Sequence, residues 1–210
     1  MSDSANGTVE NAAAARRAFA DMIDGLTDEQ LEQPTLCDQW TPRHVAGHLA
    51  SFVEMSLPTM MLSMAKAGFN IDKAWKANAS KYSAPPIGEV TAALRTHAAK
   101  PAPMKAFPPG LTTTDVAVHT QDVRRPLGLE GSLDPDVLRE ALEFSTASPK
   151  RKILLDPKRT EGLRFEATDL DWSHGEGDLV SGPGEAILLA IHRRDTFDEL
   201  AGEGVDRLRT

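Results

Sequence analysis

Residues 111–125 read LTTTDVAVHTQDVRR. Wound as a helix at about 100° per residue, this stretch puts Asp115, His119 and Asp122 within about 60° of one another. Leu111 and Val118 flank the three on one side, Val116 and Val123 on the other. Thr113, Ala117, Thr120, Gln121 and Arg124 fall on the opposite face and are expected to look outward. A polar stripe therefore runs down the middle of the apolar face, where a packing helix is driest. A carboxylate or imidazole buried there without a partner costs several kcal/mol. Asp115 and His119 are i,i+4, close enough to hold one metal ion together. The stretch thus predicts both a bundle helix and part of a site.

The flanking sequence predicts more helices. Val9, Ala13, Phe19, Ile23 and Leu26 mark a buried stripe from about Thr8 to Gly25, and Gly25 suits the helix end. Thr27 to Gln30 is a capping box opening a short turn over 28–32. Thr41 and Pro42 start a second helix, with Thr41 as N-cap, running to about Lys66, and Pro58 kinks or breaks it. A weaker helix covers 69–83, anchored by Trp75. Pro85-Pro86 is a break, and the period resumes over 87–99. A Pro-rich loop, 100–110, leads into the central helix, which Pro126 and Gly128 close. Asp134-Pro135 opens another helix through Leu138, Leu142 and Phe144. A basic linker or short helical turn then spans 148–157.

After about Gly162 the pattern changes. Leu163, Phe165 and Ala167 alternate with Arg164, Glu166 and Thr168, a strand signal. LDWSHGEG continues as a strand or turn. AILLAIH is an apolar helix, and Thr196 to Glu199 reads as a second capping box with a short helix ending at Gly202. The fold class is mainly α: an up-and-down four-helix bundle over 1–150 with a small α+β C-terminal segment over 151–210.

Composition excludes several functions. The net charge is −8 without a run of Lys or Arg, which argues against nucleic acid or an anionic membrane as partner. No apolar run reaches about 18 residues, the length of a transmembrane helix. The first twenty residues lack a secretory pattern, and the single Cys37 excludes an intrachain disulfide. A cytoplasmic location is expected. Cys37 reads as a buried structural thiol, and the cluster of Met55, Met60, Met61 and Met64 as core or pocket wall. Gly182-Pro183-Gly184 lacks a phosphate-loop signature, and no Ser has a nucleophile-elbow context.

A metal at Asp115 and His119 needs a third ligand. Of six His, His48 is the best placed, at the edge of the second helix's buried stripe. Two His and one carboxylate leave a coordination position open, the pattern of a catalytic zinc. Nickel, cobalt or iron would also accept these ligands. His44 lies one turn back, farther towards solvent.

These residues bring in a resemblance. PTLCDQWTPRHVAGHLA (34–50) and DVAVHTQDVRRPLG (115–128) resemble two signatures of the mycothiol-dependent maleylpyruvate isomerase family, part of the wider DinB-like bundles. ATDLDWSHGEG (167–177) and VSGPGEAILLAI (180–191) resemble a C-terminal segment of its members. The resemblance implies a DinB-like fold, a divalent metal, usually zinc, on His48, Asp115 and His119, and mycothiol or a similar low-molecular-weight thiol as cofactor. It departs from the family at Asp115, where Glu is usual, and at His44, where an acidic residue is frequent. A metal-bound thiol ionises at neutral pH and attacks an electrophilic carbon. The outcome is isomerisation if it leaves again and S-transfer if it stays. Position assigns Asp122 to orienting His119 or accepting a proton. It assigns Arg43, Arg124 or Arg125 to an anionic substrate, and His44 to a substrate or ligand contact. The alternatives are a metal-activated hydrolase on the same residues and a non-catalytic metal-binding or stress-response protein. A small-molecule substrate is the expected partner, and a homodimer is the oligomer that exposed apolar faces would allow.

Overall fold

The computed structural model describes residues 7–104 and 107–209. Helix α1 (Val9–Asp24) starts at Thr8, whose hydroxyl accepts the Asn11 N–H, and ends at Gly25. Helix α2 (Asp28–Leu31) carries the capping box read from sequence, with Thr27 and Gln30 closing it in both directions. Helix α3 spans Pro42–Glu54, α4 Leu57–Lys66, α5 Ile71–Tyr82 and α6 Ile87–Thr96. Helices α7 (Pro109–Arg124) and α8 (Pro135–Ala147) follow. The expected helix from Pro42 to Lys66 is thus two helices. The break falls at Met55, and Pro58 sits in the first turn of α4, where its missing N–H costs nothing. Thr41 is at the N-cap of α3, but its hydroxyl meets His44 Nδ1 at 2.9 Å instead of a backbone N–H.

Helices α1, α3, α7 and α8 make the bundle. Helix α7 packs on α1, α8 and α3, while α5 and α6 cover the outer side of α3. Helix α7 is buried all round, including Thr113, Ala117, Thr120 and Gln121, which the helical wheel turns outward. The threonines tolerate this because their hydroxyls donate to carbonyls one turn back on the same helix. Thr114 bonds Gly110 O and Thr120 bonds Val116 O, while Thr113 gives its proton mainly to Glu140 at 2.5 Å, with Pro109 O farther off at 3.2 Å. Buried Glu140 on α8 accepts from the Thr8 N–H, the Asn11 amide and the Thr113 hydroxyl, so one carboxylate joins α1, α7 and α8.

The C-terminal segment carries a three-stranded sheet in the order β2-β1-β3. Strand β1 (Leu163–Ala167) pairs antiparallel with β2 (Ser173–His174) and parallel with β3 (Asp178–Gly182). The chain passes the end of β1 at Gly175 and Gly177. Both have positive φ, and a side chain at either would strike the Leu163 or Gly162 carbonyl. Strand β3 is not evident from sequence, because Ser181 and Gly182 dilute its short apolar run. Helix α9 (Gly184–Ile191) lies on the sheet and on α8, and its apolar side chains are almost fully enclosed. The second predicted capping box is absent. Thr196 turns its hydroxyl to Ala186 O, and only a 3-10 turn, Phe197–Glu199, follows. A last short helix, α10 (Val205–Leu208), ends the described chain. One hydrophobic cluster includes Phe19 of α1, Leu142 of α8 and Phe165 of β1, so residues on both sides of 150 share a core. Among the described residues no helix is long and apolar enough to cross a membrane.

Helices α3 and α5 approach closely at Gly47. An added Cβ would lie 2.5 Å from Ser83 N and 2.6 Å from Ala79 O, both backbone atoms of the α5 end. Gly47→Ala is therefore expected to destabilise the protein by about 1–3 kcal/mol. A urea-unfolding midpoint close to that of wild type would contradict so tight an approach.

Candidate metal centre

Four segments build the site. Helix α3 supplies His48. The loop before it supplies Cys37 and Trp40, and is pinned to α7 by the Leu36 N–H donating to Asp122 O at 3.0 Å. Helix α7 supplies Asp115, His119 and Asp122, and the turn after α9 supplies His192 and Arg194. They surround a cavity of about 300 Å³.

Asp115 stands between two imidazoles. His48 Nε2 is 3.5 Å from Asp115 Oδ2, and His119 Nε2 is 3.7 Å from Asp115 Oδ1. One ligand atom from each of the three residues lies within 4.8 Å of the others. Around a zinc ion with bonds near 2.0–2.2 Å, tetrahedral ligands sit roughly 3.3–3.6 Å apart, so the spacing fits a divalent cation.

The protonation states fit as well. His119 Nδ1 is 2.9 Å from Asp122 Oδ2. A carboxylate can only accept, so Nδ1 carries the proton and Nε2 presents its lone pair towards Asp115. Asp122 is in turn clamped by Arg194, whose Nε and Nη2 donate to its two oxygens at 2.8 and 2.6 Å. Burial alone would raise the Asp122 pKa, but hydrogen bonds from His119 and Arg194 outweigh it and hold the group below the usual carboxylate range. Asp115 is also held low: burial opposes ionisation, and the His48 contact outweighs it. Burial pushes His48 below its ordinary value against the pull of Asp115, so at neutral pH the imidazole is uncharged. His48 is 3% exposed and packed against Trp40, Phe52 and Trp75, with ring centroids at 4.9, 5.1 and 6.1 Å. Its Nδ1 is buried without a hydrogen-bond partner.

Sequence reasoning missed Arg194 and His192, because nothing local marks a residue 72 positions from Asp122 as its partner. Conversely, Arg43, His44 and Arg125 do not line this cavity. Arg43 pairs with Glu32 at 2.7 Å, His44 meets Thr41, and Arg125 pairs with Glu199 at 2.5 Å. Arg124 is half-buried but also outside the cavity, and Trp172 stacks on His174 away from it. Cys37 does line the cavity. Burial first, then the Asp122 charge, raises its pKa to about 11, so the thiol stays protonated at neutral pH. Behind Trp75 lies a second cavity of about 430 Å³, walled by Phe52, Met55, Met60, Met64 and Phe107. The methionine cluster is thus largely a pocket wall.

Residues 12–104 match the family model of the mycothiol maleylpyruvate isomerase N-terminal domain. This part of the chain, less than half of its length, is similar to that family. The matched span holds His48 and Trp40 but stops short of α7. Two crystal structures of a mycothiol-dependent maleylpyruvate isomerase, one of them a mutant, extend the likeness in fold. The mutant is 15% identical with a TM-score of 0.56, and the other is 14% identical with a TM-score of 0.51. Each alignment covers 97% of this chain and 96% of the other. No curated protein sequence matches.

The Asp122 clamp has a measurable consequence. Asp122 has a lower pKa folded than unfolded, so its contribution to stability is complete above about pH 4 and fades as pH falls through the folded value. Arg194→Met leaves the buried carboxylate with His119 alone and is expected to cost about 3–5 kcal/mol at pH 7. Urea midpoints should show that deficit shrinking below pH 4, as Asp122 takes up a proton. A deficit independent of pH would separate Arg194 from Asp122 energetically.

Proposed function

We propose that the chain is a metal-dependent, thiol-using transferase or isomerase acting on a small electrophile, with His48, Asp115 and His119 as ligands to zinc and mycothiol or a related thiol as cofactor. The observation that carries this reading is the convergence of three correctly protonated donors on one wall of a cavity. When bound, the cation supplies Lewis acidity and favours an ionised thiol at neutral pH.

The chain's own residues do the rest. The Asp122–Arg194 pair fixes the His119 tautomer and aims Nε2 into the site. Trp40, Trp75, Val118 and Leu154 wall the cavity and limit water around the sulfur. Neither Asp122 nor Arg194 is free for proton transfer, since every polar atom of each is committed to the clamp or, for Arg194 Nη1, to His192 O. Asp122 is therefore a positioning residue. Lys76 at the cavity wall is the cation available to an anionic substrate, in place of Arg43 and Arg125. The isomerase activity in the names of the two similar structures agrees with this reading.

Protein purified without chelator is expected to hold about one zinc per chain, and His119→Ala to lose roughly tenfold or more in zinc affinity. Turnover of an electrophile should require added thiol. Turnover at full rate without thiol would replace this proposal with a hydrolase, and zinc-free wild type would remove the centre.

A further inference from the structure

His192, at the end of α9, is part of the cavity wall and has no role in the centre described above. Its Nε2 is 2.9 Å from Ser145 Oγ on α8. That hydroxyl also sits 2.7 Å from Ala141 O. A carbonyl cannot donate, so the one proton of Ser145 must lie on the line to Ala141; otherwise two lone pairs would face each other at 2.7 Å. Ser145 Oγ can then only accept from His192, and Nε2 is the protonated nitrogen. Nδ1 is left as a bare lone pair, and among the described residues nothing donates to it.

The neighbouring cavity groups are engaged elsewhere. Arg194 donates through Nε, Nη1 and Nη2 to Asp122 and His192 O, and the Thr114 hydroxyl donates to Gly110 O. Burial, then the Arg194 charge, pushes the His192 pKa down to about 3. At pH 7 the imidazole is therefore neutral and accepts a hydrogen bond without storing a proton.

We infer that His192 Nδ1 is a built acceptor for a neutral N–H or O–H donor carried near the sulfur of the thiol that enters this cavity. The inference rests on the thiol reading above and adds a selectivity to it. A thiol with an amide or hydroxyl near its sulfur satisfies Nδ1; one with an ester or ether in that place sets lone pair against lone pair.

Two probes of nearly equal shape test this in the zinc-loaded full chain. N-Acetylcysteamine carries an amide N–H where 2-mercaptoethyl acetate carries an ester oxygen. Calorimetry is expected to give the amide an affinity about fivefold higher in wild type. His192→Phe should make the two equal, and His192→Asn, which offers Oδ1 near the place of Nδ1, should keep part of the preference. Equal affinities in wild type, or a preference that survives in His192→Phe, would overturn the inference while leaving the thiol reading intact. If neither thiol binds, the thiol reading falls and takes the inference with it. Nitrogen-15 spectra of the imidazole in the unliganded wild type give a second readout. Nδ1 should resonate as unprotonated and Nε2 as protonated, and a proton on Nδ1 overturns the assignment whatever the variants do.

Discussion

A carboxylate with no solvent exposure, Asp122, must be matched from within the protein or it destabilises the whole fold. Its oxygens meet one donor from its own helix, His119, and two from Arg194, far along the chain. That contact ties the C-terminal segment to the bundle and sets the proton on His119. The stability of the fold and the tautomer of His119 therefore depend on the same hydrogen bonds. Losing Arg194 would leave that charge stranded and release the His119 ring from its fixed orientation together.

Around that clamp, α7 departs from the usual surface helix. A bundle helix normally shows one wet face, yet α7 is enclosed by α1, α3, α8 and α9. Its threonines manage burial by bonding their own helix, and Glu140 absorbs the Thr113 hydroxyl together with two donors at the start of α1. With no face given to solvent, α7 is held in rotation as well as position. The i,i+4 geometry of Asp115 and His119 then meets His48 of α3 at fixed distance.

Trp75 divides the interior near the centre into two environments. One is the polar cavity at Asp115 and His119; the other is the apolar cavity lined by methionines. The indole and the Phe52 ring also enclose His48, whose burial keeps its imidazole uncharged. Low polarity around a small polar cluster strengthens each electrostatic contact within it.

The sequence alone determined most of the helices, their main boundaries and the placing of Asp115 beside His119 on one helix face. These are local properties: capping residues such as Thr8 and Thr27 sit beside the turns they start, and Asp115 and His119 are related by one turn of one helix. The division of the second helix at Met55, strand β3, and the full enclosure of α7 came only from the fold. Each depends on what packs alongside, which periodicity does not contain. Tertiary structure also decided which charged groups reach the cavity. Arg43, His44 and Arg125 adjoin the motifs in sequence but find partners outside it, while Arg194 and His192 arrive from a distant segment. Hydrogen bonds and charge act through space over a few ångströms, and only the folded chain fixes which residues stand that close.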